Sequence, residues 1–456
     1  MGCILMEKIL FRKPDFDNRL GMIRPAMLPR NWYELYEQQK YLKPNEATTE
    51  IILGKNKIND SSFIEGIIKY WEYDFFNNYV EYVDKYNGKK YFYYIPLHTV
   101  DYFEQMEHIG FSGLEEDVKK DIRNKNCKII IIATDEGYFG EYSDLYSTAN
   151  WDLDLIQKWC ELERFPSDSV MFISMNSIVN THNQKKGLSY NTVSTTCISE
   201  KHLKLNSNYS LENPNFSELT ENSKLFLTYN NSFHFHRLGL LEALHRNNLL
   251  DNSYHSFTLQ KDTNPQVFKY HSELFIKLNN NILTDEFYKL LEKLPIKIEN
   301  DYDEENYKKY DFKGQIMVDY HYKNSFLSLV SETLYKKGTV YFSEKTFKPI
   351  YQCHPFILLS SKGSLKKLKD LGYQTFDRWW DESYDECDDY IDRIEMICKI
   401  LLDLNSKSHE ELKQIKNEMK SILIDNYNNF IMRYTQKISP IIDSVEQEYK
   451  KFINNE

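Results

Sequence analysis

Glu344 and Lys345 stand side by side in the run Tyr341-Phe342-Ser343-Glu344-Lys345-Thr346-Phe347-Lys348-Pro349-Ile350, and a second apolar run, Pro355-Phe356-Ile357-Leu358-Leu359, follows before a turn at Gly363. That order predicts a strand, a short helix carrying the pair, and another strand. The pair would then sit where a strand gives way to a helix, the place in an open α/β sheet where nucleotides and other phosphate ligands dock. A carboxylate there can accept hydrogen bonds from sugar hydroxyls, and a lysine can offset diphosphate charge. Lys348 lies three residues further along and can share that face or point to solvent.

Other groups with chemical potential are spread along the chain. Arg237 falls in the first turn of a helix predicted from Phe235 to Leu244, directly after a strand at Lys224 to Asn230. His234 and His236 precede and enter that helix. Two histidines at this spacing diverge on a helix and have no third ligand nearby in sequence, so no metal site is expected; His236 lines a pocket or packs. Asp135 and Glu136 end the apolar run Lys128 to Ala133, either as reacting carboxylates or as caps of the turn before Gly137. Asp152-Leu153-Asp154 has the look of a cation-binding acidic triplet, but the spacing is favoured as the acidic first turn of a helix.

The elements that must position these groups read as α/β. Lys128 to Ala133 is a continuous β-branched run of the kind buried on both faces of a parallel sheet. With strands expected at Tyr91 to Pro96 and Val170 to Met175, and helices at Leu114 to Arg123 and Leu153 to Arg164, it forms a Rossmann-like half. A ring-rich N-terminal segment, including Trp32 and a helically spaced stretch from Ile64 to Tyr82, packs onto it. Residues 177 to 222 are polar, and the connection between halves is placed near their end. The organising block follows in the second half, and Ser364 to Leu371 is a basic helix ended by Gly372 in a left-handed cap. Trp379, Trp380 and Phe376 either stack a sugar or close a core. Residues 299 to 310 are an acidic solvated loop. Helices are expected at Tyr384 to Asp403 and Glu410 to Phe452, the latter kinked at Pro440. The expected divisions are 1–220, 221–380 and 381–456.

With 456 residues and a net charge of −11, the chain is long enough for two or three cores and lacks the basic excess of a general nucleic-acid binder. The seven cysteines are scattered without a Cys-x-x-Cys pair and read as reduced thiols of a cytosolic setting. No apolar run is long enough for a membrane span, and Gly2-Cys3 lacks the Ser or Thr that acylation would want at Met6.

The block around Glu344 resembles the donor-site motif of fucosyltransferase-type enzymes. There a Phe-x-Glu-Asn-x segment runs into a Tyr-x-Thr-Glu-Lys-x-Phe helix start and a Pro-led strand. Phe326 to Thr333, with Glu332 before Thr333, matches the first piece; Tyr341 to Phe347 the second; His354 to Leu358 the third. Uncharacterised glycosyltransferase-like proteins of large viruses and phages share Ser-Glu-Lys-Thr-Phe-Lys-Pro-Ile more closely still. Thr333 replaces the family's Asn, and Lys348-Pro349 replaces small apolar residues, which leaves donor identity open.

The resemblance implies a GT-B fold: two Rossmann-like domains facing across a cleft, with C-terminal helices. It implies transfer of a sugar from a nucleotide-diphosphate sugar to a glycan or other hydroxyl acceptor, with inversion and without a required metal or other cofactor. Arg237 takes the diphosphate-contacting role, and Glu344, Lys345, Lys348, Asn230, His236, Tyr341 and Glu332 complete the donor site. Such chemistry needs a carboxylate to take the acceptor's proton; Glu136 is the candidate and Asp135 the reserve. The expected location is the cytoplasm, that of a host if the chain is viral. The rival reading is a binding protein that holds a glycan or nucleotide on a degenerate GT-B fold. A phosphotransferase is disfavoured, because no phosphate-binding glycine loop is present.

Overall fold

The computed structural model describes residues 9–12, 80–83, 85–97, 111, 114–133, 153–174, 191–194, 216–259, 284–298, 319–333, 335, 340–435 and 439–454, with scattered residues between 261 and 276. The chain divides into two compact units, Met1–Thr195 with Ile438–Glu456, and Thr196–Lys437, where the sequence suggested divisions near 220 and 380.

In the first unit the described elements are β1 (Ile9–Arg12), β2 (Val80–Tyr82), β3 (Tyr91–Leu97), α1 (Glu116–Arg123), β4 (Cys127–Ala133), α2 (Leu153–Glu163), β5 (Val170–Ser174) and β6 (Asn191–Ser194). The six strands form one parallel sheet in the order β2-β1-β3-β4-β5-β6. Ile129, Ile130 and Ile131 in β4 are buried, as expected of a strand covered on both faces. The phenols of Tyr91 and Tyr93 donate to Asp121 and Glu115, which fastens α1 to the sheet. Three strands of this unit are additions to the sequence reading, as β8 (Ser253–Phe257) is in the other. Ile9–Arg12 is too short to carry a signal, Val80–Tyr82 ends a stretch whose ring spacing suggested a helix, and Asn191–Ser194 is a polar strand at the sheet edge.

The second unit contains β7 (Lys224–Asn230), α3 (Phe235–Arg246), β8 (Ser253–Phe257), α4 (Asp285–Glu292), α5 (Asp319–Lys323), β9 (Ser325–Ser331), α6 (Glu344–Tyr351), β10 (Phe356–Leu359), α7 (Ser364–Asp370), α8 (Tyr390–Asn405), α9 (His409–Glu418) and α10 (Lys420–Thr435). Its four strands are parallel in the order β10-β9-β7-β8. The chain leaves β7 to one side for β8 and returns on the other side for β9. The ends of β7 and β9 therefore form the topological switch point, where a crevice opens between helices that cross in opposite directions. Every residue of β9 is buried, and so are Phe235 to Leu244 of α3.

Helix α6 is anchored on its apolar side by Phe347, which packs against Phe342, Tyr373 and Phe430, and by Tyr351 against Tyr427. Each such ring pair adds about 0.5–1.5 kcal/mol beyond area burial. Trp380 and Phe376 pack together and Phe376 meets Phe356 of β10, so these rings close a core. The single helix expected from Glu410 to Phe452 is instead α9, α10 and α11 (Ser439–Asn454), with Pro440 as the second residue of α11, where a proline costs a helix little. Helix α11 belongs to the first unit, where Lys128 meets Glu448 at 2.6 Å and Phe92 stacks on Phe452.

Candidate functional site

The Ser343-Glu344-Lys345-Thr346 block works as an outer pair, Ser343 and Thr346, around an inner one, Glu344 and Lys345. Ser343 is the N-cap of α6, with Oγ accepting from the Lys345 amide. Glu332, the first residue after β9, is completely buried and accepts from Ser343 N and Oγ, from Thr346 N and Oγ1, and from its neighbour Thr333 N. The hydroxyl bonds are 2.6 Å each, the short lengths of charge-assisted contacts. Five donors on one carboxylate leave no lone pair over for a ligand. Glu332 thus caps α6 from the neighbouring strand, and its negative charge lies at the positive end of that helix.

Ser343 and Thr346 are turned to Glu332, while Glu344 and Lys345 pair with each other. They form a 3.1 Å ion pair, with side chains 17% and 29% exposed. Lys345 Nζ also reaches Ser343 Oγ at 3.1 Å. The ammonium is accessible yet already oriented. Lys348 comes back on the same helix but is buried, and burial pulls its pKa down to about 8, against the opposing pull of Glu344 and Glu332, while Lys345 lowers it further. Pro349 in the last turn lacks the N–H that would otherwise reach the Lys345 carbonyl. Tyr341 is buried just before the cap.

On the β7 side, Arg237 is 1% exposed and its guanidinium donates to the carbonyls of Ser232 at 2.9 Å and Ser331 at 3.1 Å. Its terminal nitrogens tie the β7–α3 loop to the end of β9. His236 is buried with Nε2 2.7 Å from the Glu332 carbonyl oxygen. A carbonyl can only accept, so Nε2 carries the proton and Nδ1 is an acceptor. Burial, and the nearby charges of Arg237 and Arg393, hold the ring's pKa well below the ordinary histidine value. The Tyr335 ring lies 4.2 Å from His236. Asn230 ends β7, fully buried, with Nδ2 on Thr228 Oγ1.

The structure therefore brings Asn230, His236, Arg237, Glu332, Tyr341, Glu344, Lys345 and Lys348 to one end of one sheet. Sequence reasoning missed the partners that hold them. Ser343 and Thr346 could have been found from their i, i+3 spacing at a helix start, and Ser331 from its place at the end of β9. Arg393 carried no such signal: it is buried in α8 and donates to the carbonyls of Ser360 and Cys387.

Asp135, Glu136 and Asp152 lie outside the described residues. So do Trp32, residues 64–79 of the ring-rich N-terminal stretch, and the acidic stretch 299–310. Among the described residues no three of His, Cys, Asp and Glu gather as metal ligands, and no helix is long and apolar enough to cross a membrane. The described cysteines 127, 160, 353, 387 and 398 are thiols, and burial pushes those of Cys160 and Cys398 up to about 12.

No protein-family model matches this chain, and no curated protein does. Among solved structures, a trehalose-6-phosphate synthase, OtsA, is similar with a TM-score of 0.38 and 9% identity, over 96% of this chain and 84% of that one. Nothing about this chain's chemistry follows from a likeness at that level.

Proposed function

We propose that this chain is a glycosyltransferase that moves a sugar from a nucleotide-diphosphate sugar to a hydroxyl of a glycan or similar acceptor. The observation that carries the reading is the Glu344-Lys345 pair, held partly exposed at the start of α6 beside the switch point of a parallel sheet. The fucosyltransferase-like motif supports it, as do two parallel α/β units, the components of a GT-B enzyme.

In this reading Lys345, with Lys348 behind it, offsets the diphosphate charge, and Glu344 accepts from a ribose or sugar hydroxyl. Arg237 acts by positioning, through the carbonyls of Ser232 and Ser331, and adds a buried positive charge. Glu332 positions the pair through Ser343 and Thr346, and Tyr341 leads into that cap. The acceptor oxygen attacks the anomeric carbon as the bond from that carbon to the phosphate oxygen breaks. The electron pair leaves with the nucleoside diphosphate, and the acceptor's proton passes to a carboxylate, for which Glu136 is proposed with Asp135 in reserve. One attack of this kind inverts the anomeric centre. Lysine and helix dipole supply the charge stabilisation that a cation would otherwise give, so no metal is required.

The test is a screen of the full chain against UDP- and GDP-sugars for thermal stabilisation and for release of nucleoside diphosphate, alone and with a glycan panel. Release or transfer from one donor is the expected result. Stabilisation without turnover against any acceptor would make the chain a binding module, and neither effect with any donor would remove the reading.

A further inference from the structure

Three buried side chains at the switch point carry a polar atom with no hydrogen-bond partner among the described residues: Asn230 Oδ1, Ser331 Oγ and His236 Nδ1. They are neighbours by topology. Strands β7 and β9 pair as far as Leu227 opposite Ser328, and the same register carried three residues past that pairing would set Asn230 opposite Ser331 on one face, while Arg237, next to His236, donates to the Ser331 carbonyl. His236 is fixed beside them by its bond to the carbonyl of Glu332, the residue after Ser331. All three residues are at most 2% exposed. Unsatisfied buried polar atoms are rare and costly, and three at one strand crossover call for a partner.

The polarity of the cluster says what that partner is. His236 Nδ1 can only accept, because Nε2 donates to a carbonyl and the ring is held neutral. Asn230 contributes one atom of its amide, whichever way the amide is turned, because Thr228 takes the other. Ser331 Oγ can donate or accept. The Arg237 guanidinium, which donates to the Ser331 carbonyl, brings a positive charge close by, but a phosphate at neutral pH has only acceptors to set against the His236 lone pair, and that lone pair needs a donor. A hydroxyl group, which donates and accepts, matches.

Resting on the donor-site reading above, we propose that Asn230, Ser331 and His236 form a hydroxyl-recognition site, taking a diol of the donor's ribose or sugar, while the diphosphate lies at Lys345. Ser331 and His236 are then specificity-determining residues, and the site fixes which way round the donor lies.

Ser331→Ala removes an oxygen that bonds to none of the described residues, so the fold should keep its thermal stability. His236→Gln keeps an N–H for the Glu332 carbonyl and loses the Nδ1 acceptor. Calorimetry with pyrophosphate, with UDP and GDP, and with UDP- and GDP-sugars reads both variants. The expected result is unchanged pyrophosphate affinity and about a tenfold loss for the larger ligands. A loss shared by nucleoside diphosphates and nucleotide sugars assigns the ribose; a loss confined to the nucleotide sugars assigns the sugar. Wild-type binding of the larger ligands with no loss in Ser331→Ala, or an equal loss for pyrophosphate, overturns this site alone. Failure of the wild type to bind any of these ligands removes the donor reading and this site with it.

Discussion

Replacing Lys348 by methionine tests whether the second unit keeps a destabilising cation for the sake of an anion. Lys348 is 8% exposed, and burial lowers its pKa from 10.5 to about 8. Below pH 8 it is charged in both folded and unfolded chains, and the full cost of burying the charge is present. Between pH 8 and 10.5 the unfolded chain holds the proton and the folded chain does not, so stability rises with pH, and above 10.5 the cost is gone. That difference corresponds to at most about 3 kcal/mol. Lys348→Met is therefore expected to raise the urea midpoint at pH 7 and to lessen the wild type's gain in stability toward pH 9.5. Pyrophosphate affinity, measured by calorimetry at pH 7, should fall about tenfold, because a weakly screened positive charge behind Lys345 is lost. Lys416 supplies the contrast. It is 2% exposed, its pKa is lowered by burial to about 7, and its amine reaches Ser325 O at 3.4 Å, at the opposite end of β9 from the site. Lys416→Met should stabilise by up to about 5 kcal/mol at pH 7, with no change in pyrophosphate affinity. A Lys348→Met protein that is less stable at pH 7 and binds pyrophosphate like wild type would refute the reasoning.

Glu332→Ala strands the donors of Ser343, Thr346 and Thr333 and should cost about 3 kcal/mol or more in thermal unfolding; a loss below about 1 kcal/mol would show that the α6 cap is replaceable by water. Glu136→Gln should keep donor affinity and lower turnover by about 10²–10⁴, with Asp135→Asn near wild type, and equal turnover in Glu136→Gln would place the base elsewhere. Turnover should survive excess EDTA, and Asp152→Asn should be nearly silent; loss on chelation with recovery in manganese would move the charge stabilisation to a cation.

Parallel strands were legible because both faces are covered: Lys128 to Ala133, Lys224 to Asn230 and Phe356 to Leu359 are runs that only burial explains. The start of α6 was legible from the apolar runs on either side of the Glu344-Lys345 pair, although the serine cap ahead of the acid went unread. What Glu332 and Arg237 do was not. Both were read as ligand contacts, and both turn toward the protein: Glu332 to two hydroxyls and three amides, Arg237 to two carbonyls. Spacing along the chain carries no record of which backbone a side chain meets across a sheet. The break between α9 and α10 was missed because helical periodicity runs on through Met419, while β6 was missed because an edge strand needs no apolar residues.

The central claim is that the accessible Lys345 and Glu344 at the start of α6 hold a nucleotide-diphosphate sugar. Calorimetric titration of UDP- and GDP-sugars and of pyrophosphate into wild type, Lys345→Ala and Glu344→Gln tests it directly. The account predicts that wild type binds one of the nucleotide sugars and that Lys345→Ala weakens both it and pyrophosphate about tenfold with unfolding unchanged. Glu344→Gln should weaken the nucleotide sugar more than pyrophosphate. Unchanged affinity in Lys345→Ala, or equal loss of both ligands in Glu344→Gln, would contradict it.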